Sequence, residues 1–458
     1  MEHLLNLNNF DVIDSFQNET SILFEVRPKK EIRECPKCKS LNCYSKEKAT
    51  KRIKDLPYYG KFSELEIEVR RFKCNVCNNT FYAKLDEIND KHRMTTRLVE
   101  TIQKECLKDT FTAIASRHGI TEGTVRRIFN SYAKELDKGW IPLAPRVLGI
   151  DECHLGHKAR SVFIDVRDNG SAIIEMGKNI KQKTIVKILE SLKQPENVEV
   201  VTMDMTRSYR EAVQMVLPKA TIVVDKFHVI KQLMDATDTA FRAVRESMKD
   251  GWRVLPIDQQ REIHARFRAL RVSVQLFRKN EEELLDDDRK KLAVAFEMDD
   301  NFRKVYYLKE NFRDILNKRR DKEAAERAFC DWECSIPDDP EFDSFRNFVR
   351  TVYNWHDYIF NYFDFRESNA ATEAINGTIK LANKIGRGYS IEVIRTKVLH
   401  KPVCKNQPKY IRPEKTVPEK GLKTFVVSGD GSQREAILVE GSSVNINALL
   451  LELEREPF

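Results

Sequence analysis

The sequence predicts a multidomain α/β protein: a mixed-sheet domain split by an all-helical insertion and preceded by a zinc ribbon and a helix-turn-helix. Three observations predict it. Two CxxC pairs, Cys35/Cys38 and Cys74/Cys77, lie early in the chain. Short apolar, β-branched runs alternate with helical stretches between residues 147 and 225. The following stretch, 229–365, carries helical periodicity and no strand pattern.

The 458 residues suit about three domains. Lysine and arginine number 79 against 71 aspartates and glutamates, a net charge of +8 in a chain that is 33% charged. That surplus permits a polyanionic partner without demanding one. No apolar run approaches the ~18 residues of a membrane span. The N-terminus, MEHLLNLNNFDVIDSF, lacks the basic region of a secretory signal. The reading is therefore a soluble intracellular protein with no membrane partner, in which CxxC pairs favour metal over disulfide.

Residues 1–34 alternate apolar and polar (SILFEVRP) and read as a small β-rich lead-in. A zinc ion needs four soft ligands in a tetrahedron, and each CxxC turn supplies two at the right separation. Cys35, Cys38, Cys74 and Cys77, bridged by the strand-like SELEIEVRRFK, therefore describe a ribbon, and the long gap between the pairs calls for an inserted hairpin. Cys43 reads as a stray thiol or a competing ligand.

Residues 94–138 turn helical, and TFTAIASRHGITEGTVRRIFNSY fits a helix-turn-helix. Ala115 is small where two helices cross, Gly119 takes the turn, Thr121 caps the second helix and Val125 sits inside it. Thr124, Arg126 and Arg127 then fall on or beside a face suited to a major groove. The plainer alternative is a packing hairpin.

After the linker GWIPLAP, RVLGIDE, SVFIDVRD and SAIIEMG read as a three-strand meander. A helix (QKTIVKILESLKQ), the strand VEVVTMDM, a second helix (SYREAVQMVLP) and the strand ATIVVDKFH follow. A helical crossover to a parallel strand tends to set the fourth strand beside the first. Asp151 and Asp204 would then project from neighbouring strand ends at one sheet edge, where α/β folds keep their sites. Asp225 is nearly as plausible on strand position alone. CHLGH (Cys153, His154, His157) reads as the turn between the first two strands rather than a second zinc site.

In the helical stretch, Trp252, Trp332, Tyr353, Trp355 and Phe363 are expected in its core, and Cys330 and Cys334 as a buried pair. Farther on, Glu373, Asn376 and Lys380 share one face of a helix at i, i+3 and i+7. Glu373 there can complete a metal site while Lys380 meets a phosphate. Beyond residue 401 the prolines mark a linker before a small β hairpin, TFVVSGDGS with EAILVEGSS, in which no chemistry is legible. The expected segments are thus 1–88, 89–140, 146–228, 229–365, 366–401 and 402–458.

Over residues 30–400 the chain resembles a DDE transposase of the ISL-three family of bacterial insertion sequences. The resemblance rests on CPKC with RRFKCNVC, the helix-turn-helix, GIDE, TMDMTRSYREAV, VVDKFHVIK, and SNAATEAINGTIK followed by GRGY. It implies an RNase H-like catalytic domain with the helical stretch as its insertion. It implies Asp151, Asp204 and Glu373 as the catalytic acids, holding Mg²⁺ or Mn²⁺, and singles out Asp225 and His228 as near them. Two divalent ions between such carboxylates suit phosphodiester cleavage, Mg²⁺ preferring hard oxygen ligands. Lys380, Lys384 and Arg387 join Thr124, Arg126 and Arg127 as expected DNA contacts. The implied partners are terminal inverted repeats, target DNA and a second copy of the chain, in the bacterial cytoplasm at the nucleoid. The rival readings are a DNA-binding regulator with a silent catalytic domain, and an RNase H-like nuclease acting on branched or hybrid substrates.

Overall fold

A computed structural model describes residues 7–30, 33–166, 171–269, 274–365 and 370–400, together with the strands Thr424–Val427 and Gln433–Ala436. They belong to two compact units, Met1–Pro402 and Val403–Phe458. In the second, the two strands pair antiparallel, Val427 opposite Gln433. The proline-bearing stretch 402–423 lies outside the described residues.

The first unit opens with the antiparallel pair β1 (Phe10–Gln17) and β2 (Ser21–Pro28). Alternation in β2 buries Ile22, Phe24 and Val26. Next, β3 (Cys43–Tyr58) and β4 (Lys61–Cys74) make a long antiparallel hairpin. Its two turn residues, Tyr59 and Gly60, both have positive φ, 48° and 76°, as a two-residue turn matched to strand twist requires. Because β2 pairs parallel with β4, the lead-in and the ribbon hairpin share one sheet. Short strands β5 (Thr80–Tyr82), β6 (Ile88–Asn89) and β7 (Met94–Thr95) complete it, and β7 returns the chain alongside β3.

Three helices follow: α1 (Thr96–Cys106), α2 (Phe111–Arg117) and α3 (Glu122–Gly139). Each starts on a threonine, Thr95, Thr110 or Thr121, whose hydroxyl accepts from the N–H three residues on. Leu98, Ile102, Phe111, Ile114, Val125 and Phe129 form their shared core. Gly119 turns the chain between α2 and α3 at φ 60°, and a Cβ there would meet the Phe62 ring at 2.9 Å. The linker after α3 is pinned, since Trp140 Nε1 donates to Ile174 O at 3.3 Å.

The second sheet holds β8 (Val147–Leu155), β9 (Lys158–Asp165), β10 (Ala172–Met176), β11 (Val200–Met203) and β12 (Thr221–Val224). Its order is β10-β9-β8-β11-β12, with the meander antiparallel and β11 parallel to both β8 and β12. The crossover helices α4 (Gln182–Glu190) and α5 (Arg207–Val216) cover one face, which carries Leu148, Ile150, Val201, Met203, Ile222 and Val224.

From the end of β12 runs α6 (Lys226–Arg253). It is followed by α7 (Ile257–Ala269), α8 (Val274–Arg278), α9 (Asp286–Met298), α10 (Asp300–Lys318), α11 (Lys322–Cys334), α12 (Asp343–Asn354), α13 (His356–Phe360) and α14 (Tyr362–Phe365). This block is not packed apart from the sheet: Trp332, Trp355 and Phe363 join Ile150 and Met203 in one continuous core. Two expectations fail here. Tyr353 is 51% exposed, its hydroxyl donating to Glu333 Oε2 at 2.5 Å, and Trp252 only flanks the core. Cys330 and Cys334 are likewise exposed rather than buried, because they lie on the outer side of α11, away from Phe329 and Trp332.

Helices α15 (Ala370–Gly386) and α16 (Ile391–Leu399) cover the opposite face of the sheet, where Ile379 and Ile394 pack on Cys153, Val162 and Ile164. Gly149, opposite Ile164 in the β8–β9 ladder, leaves the room this requires: a Cβ there would lie 2.6 Å from Ile164 Cγ1. Gly149→Ala should therefore cost roughly 1–3 kcal/mol through overpacking. Urea unfolding checks this, and an unchanged midpoint would contradict the packing described.

Candidate active site and nucleic-acid interface

Strand alternation decides where the acids point. On β8, Leu148 and Ile150 face α4 and α5, so Asp151 and Cys153 face α15. On β11, Val201 and Met203 face the crossover helices, and Asp204, the next residue, turns to the α15 side. The same parity on β12 turns Asp225 that way after Val224. In register, Ile150 is level with Met203 and Met203 with Val224. Asp151, Asp204 and Asp225 thus stand in a row across adjacent strands, all buried. Asp151 does not end its strand, as the sequence suggested: β8 continues to Leu155 because its antiparallel partner β9 continues with it. The row marks where β11 and β12 stop.

Above this row is a cavity of about 660 Å³ whose lining includes Asp151, Asp204, Asp225, Glu373, Asn376 and Lys380. The last three come from α15, at the spacing that sets them on one helical face. Asn376 Nδ2 donates to Asp151 Oδ2 at 2.7 Å, and the Glu152 backbone N–H donates to Asp151 Oδ1 at 2.6 Å. His228, in the first turn of α6, sets Nε2 2.8 Å from Asp204 Oδ1.

The electrostatics reflect crowded, buried negative charge. Burial, and then the neighbouring Asp204, push the Asp151 carboxyl up to about 7. Burial also raises Glu152, with Asp204 adding to it. For His228, burial opposes the charged form, but Asp204 overcomes it and leaves the imidazole more basic than usual. Two adjacent carboxylates that resist joint ionisation, with an imidazole nitrogen beside them, are a donor set that a divalent cation would satisfy. One ligand atom each from Asp151, Asp204 and His228 lies within 4.8 Å of the others. Glu373 is exposed and lines the same cavity without joining that close cluster.

The lining also includes residues that the sequence reading missed. On α6, Lys231, Gln232 and Asp235 fall three, four and seven residues beyond the expected His228, a helical stripe facing the cavity. That periodicity was available in the sequence once His228 was singled out. Glu152 had no such signal, because strict alternation assigns it to the opposite face from Asp151.

At the N-terminal end, the four expected zinc ligands meet. Cys35 Sγ lies 3.5 Å from Cys77 Sγ, and Cys38 Sγ 3.5 Å from Cys74 Sγ. All four sulfurs fall within 4.8 Å of one another, near the ~3.8 Å edge of a tetrahedron with 2.3 Å zinc–sulfur bonds. The two turns match: Lys39 and Asn78, each four residues after the first cysteine, have φ of 62° and 58° and donate back to Cys35 O and Cys74 O. The Cys77 backbone N–H, aimed at Cys74, is the main reason that thiol is drawn down to about 6. Cys43 is outside the cluster, its thiol 3.5 Å from Ser40 O. Cys153 is buried in β8 and His154 lines the acidic cavity, while Gly156 and His157 make the β8–β9 turn, so CHLGH gathers no second cysteine–histidine cluster among the described residues.

The expected DNA contacts divide. Thr124 and Arg127 share the outer face of α3, Arg127 donating to Thr124 Oγ1 at 3.1 Å. Arg126 turns inward: it pairs with Glu122 at 2.8 Å and lies over the Phe111 and Tyr389 rings. Lys384 and Arg387 lie beside Arg126 in a cleft between α3 and the end of α15, separate from the acidic cavity.

A cysteine cluster, a capped three-helix unit and carboxylates converging on a mixed sheet define a modular nucleic-acid-binding protein with a metal-ligating site. Comparison with known proteins agrees. Residues 148–398 match a family model described as Transposase, of the ISL3 type; residues 83–133 match the helix-turn-helix domain of transposase family ISL3; and residues 33–77 match the zinc-finger of transposase IS204/IS1001/IS1096/IS1165. The chain belongs to the ISL3 transposase family. The transposase for insertion sequence element IS1001 of Bordetella parapertussis is 24% identical over 211 residues, 45% of this chain and 51% of that protein. The chain thus spans about half the length of the curated relative it matches. The family implies DNA binding through the helix-turn-helix, zinc in the ribbon and a divalent metal at the acids, and among the described residues no helix is long and apolar enough to cross a membrane.

Two measurements bear on the sites. Cys74→Ser should abolish stoichiometric zinc and loosen the ribbon, because structural zinc binding is itself folding free energy; zinc content by atomic absorption checks it. Asp151 has a folded pKa of about 7, above its ordinary 3.8. Its contribution to stability is therefore present below about 4 and lost as pH rises through 7. Without divalent cation, melting temperature should fall over that window, and Asp151→Asn should flatten the slope. Parallel profiles for the two proteins would contradict the shift.

Proposed function

We propose that the protein is a transposase that binds the terminal inverted repeats of an insertion sequence and catalyses metal-dependent DNA strand cleavage and strand transfer. The observation that carries this reading is the register of β8, β11 and β12, which aligns Asp151 with Asp204 beneath the helix bearing Glu373. The 3-2-1-4-5 order of the sheet, three strands antiparallel and two parallel, supports an RNase H-like domain with the block between β12 and α15 as its helical insertion.

In this reading Asp151 and Asp204 would hold the divalent cation, with Glu373 on α15 lining the same cavity as a further carboxylate ligand. When bound, Mg²⁺ or Mn²⁺ supplies activation of the attacking oxygen and stabilisation of the leaving 3′ oxygen. Asn376 and the Glu152 N–H fix the two oxygens of Asp151, and His228 fixes Asp204, so the carboxylates need no reorganisation when DNA arrives. Lys380, one turn beyond Asn376, meets a phosphate oxygen. A water oxygen attacks phosphorus and the P–O3′ bond breaks, the freed oxygen taking up a proton as a 3′-OH; that 3′-OH then attacks a target phosphodiester, forming a new P–O3′ bond as the target's own 3′ oxygen departs. Thr124 presents α3 to the bases of the repeat and Arg127 contacts its backbone, while Arg126, Lys384 and Arg387 line a separate cleft toward the end of α15. Joining two element ends in concert requires a homodimer on DNA.

The test is strand cleavage of a duplex carrying an element end, with Mg²⁺ or Mn²⁺. Asp204→Ala should lose cleavage while still binding the duplex, and His228→Ala should reduce cleavage about 10–100-fold. Cleavage by Asp204→Ala at the parent rate would sink the assignment. Binding without metal-dependent nicking by the parent would indicate a regulator instead, and preference for a junction or RNA–DNA hybrid would indicate a nuclease.

A further inference from the structure

Between the ribbon hairpin and α3 lies a second cavity, of about 690 Å³, outside the acidic site. Its walls carry Arg52 and Lys54 from the ribbon hairpin, Lys91 and Arg93 from the turn between β6 and β7, and Thr124 and Arg127 from α3, with Glu64 as the carboxylate among the described lining residues. Arg52, Lys91, Arg93 and Arg127 are exposed. Within the protein their charges are weakly met. Among the described residues Arg52 shares a surface pair with Glu66 at 2.9 Å, Lys91 reaches the Ser131 hydroxyl at 3.5 Å, and Arg127 reaches Thr124. Arg93 makes no ion pair among the described residues and sits at φ 51°, a conformation in which a long side chain is uncommon. The local field shows at His92, whose imidazole is made less basic by burial and then by the charges of Lys91 and Arg127.

The walls are held rigidly. Lys54 Nζ donates to Gly119 O at 2.7 Å, tying the hairpin to the turn before α3. Buried Asp55 accepts from Thr95 Oγ1 at 2.6 Å and from Arg97 Nε at 2.8 Å, tying it to the start of α1. The Phe62 ring packs on Gly119 so closely that no Cβ fits between them. The ribbon and the helix-turn-helix are therefore not modules swinging on a tether; they hold their cationic walls at a fixed separation.

We infer that this groove grips the sugar–phosphate backbone of duplex DNA, with Arg52, Lys91, Arg93 and Arg127 as phosphate contacts, so that ribbon and helix-turn-helix act as one composite reader. The inference rests on the DNA-binding part of the function proposed above and extends it to Arg52 on the ribbon hairpin and to Lys91 and Arg93 in the turn between β6 and β7. Phosphate contacts fix position without reading sequence, and each adds about one unit to the salt dependence of binding. Arg93 and Lys91 would seat the strand while Thr124 presents α3 to the bases.

Fluorescence anisotropy with a labelled duplex carrying an element end, and with a scrambled duplex, tests this over a series of salt concentrations. Arg93→Gln and Lys91→Gln should each weaken both duplexes by the same factor and lower the log–log salt slope by about 1. Lys138→Gln, at the far end of α3, should leave the slope unchanged, and retained zinc should show that the variants are folded. Unchanged affinity and slope in Arg93→Gln and Lys91→Gln, with tight binding by the parent, would overturn the groove and leave the proposed function standing. Failure of the parent to bind either duplex would overturn both.

Discussion

The parallel pairing of β11 between β8 and β12 is the constraint on which the rest depends. One residue of slip would turn Asp204 to the opposite face and bury Met203 against α15. Register is therefore enforced by the apolar core, with Ile150, Met203 and Val224 on the face shared with the helical block. The cost is three buried carboxylates gathered where β11 and β12 end. Asn376 and the Glu152 N–H orient Asp151, and His228 Nε2 lies against Asp204, a gathering of donors suited to a divalent cation.

The helix-turn-helix is fastened to the same domain. Tyr389 OH accepts from Phe111 N at 3.0 Å, and buried Lys397 donates to Asp109 O at 2.7 Å and to Cys106 O. Arg395 bridges Asp137 at the end of α3 and Glu175 on β10, both at 2.6 Å. These contacts come from α16 and the turn before it, directly after the helix that carries Glu373. The helix-turn-helix and the helix that carries Glu373 are thus packed into one body.

Much of this was legible in the sequence for a physical reason. Soft-ligand spacing announced the zinc cluster, capping and turn residues announced the helix-turn-helix, and β-branched runs announced the strands. The crossover rule placed Asp204 beside Asp151, and helical spacing placed Glu373, Asn376 and Lys380 on one face. What local pattern could not carry was partner choice. Arg126 reads as an exposed helix cation, yet it is taken up by Glu122 and two aromatic rings, one from a residue near the chain's other end. Glu152 lines the cavity beyond the point where β11, the neighbour of β8, ends at Met203 opposite Ile150. Tyr353 looks like core by composition and is exposed because α12 turns it outward. The basic groove draws on segments more than fifty residues apart, so no single window displays it.

In the proposed site Asp151, Asp204 and Glu373, far apart in sequence, would close on one divalent-cation centre. Substituting Fe²⁺ for Mg²⁺ and generating hydroxyl radicals in place cuts the polypeptide only near the bound ion. The fold described here predicts cuts clustered near residues 151, 204 and 373, all suppressed by excess Mg²⁺. Cuts near the first two with none near residue 373, or cuts that Mg²⁺ does not suppress, would contradict it.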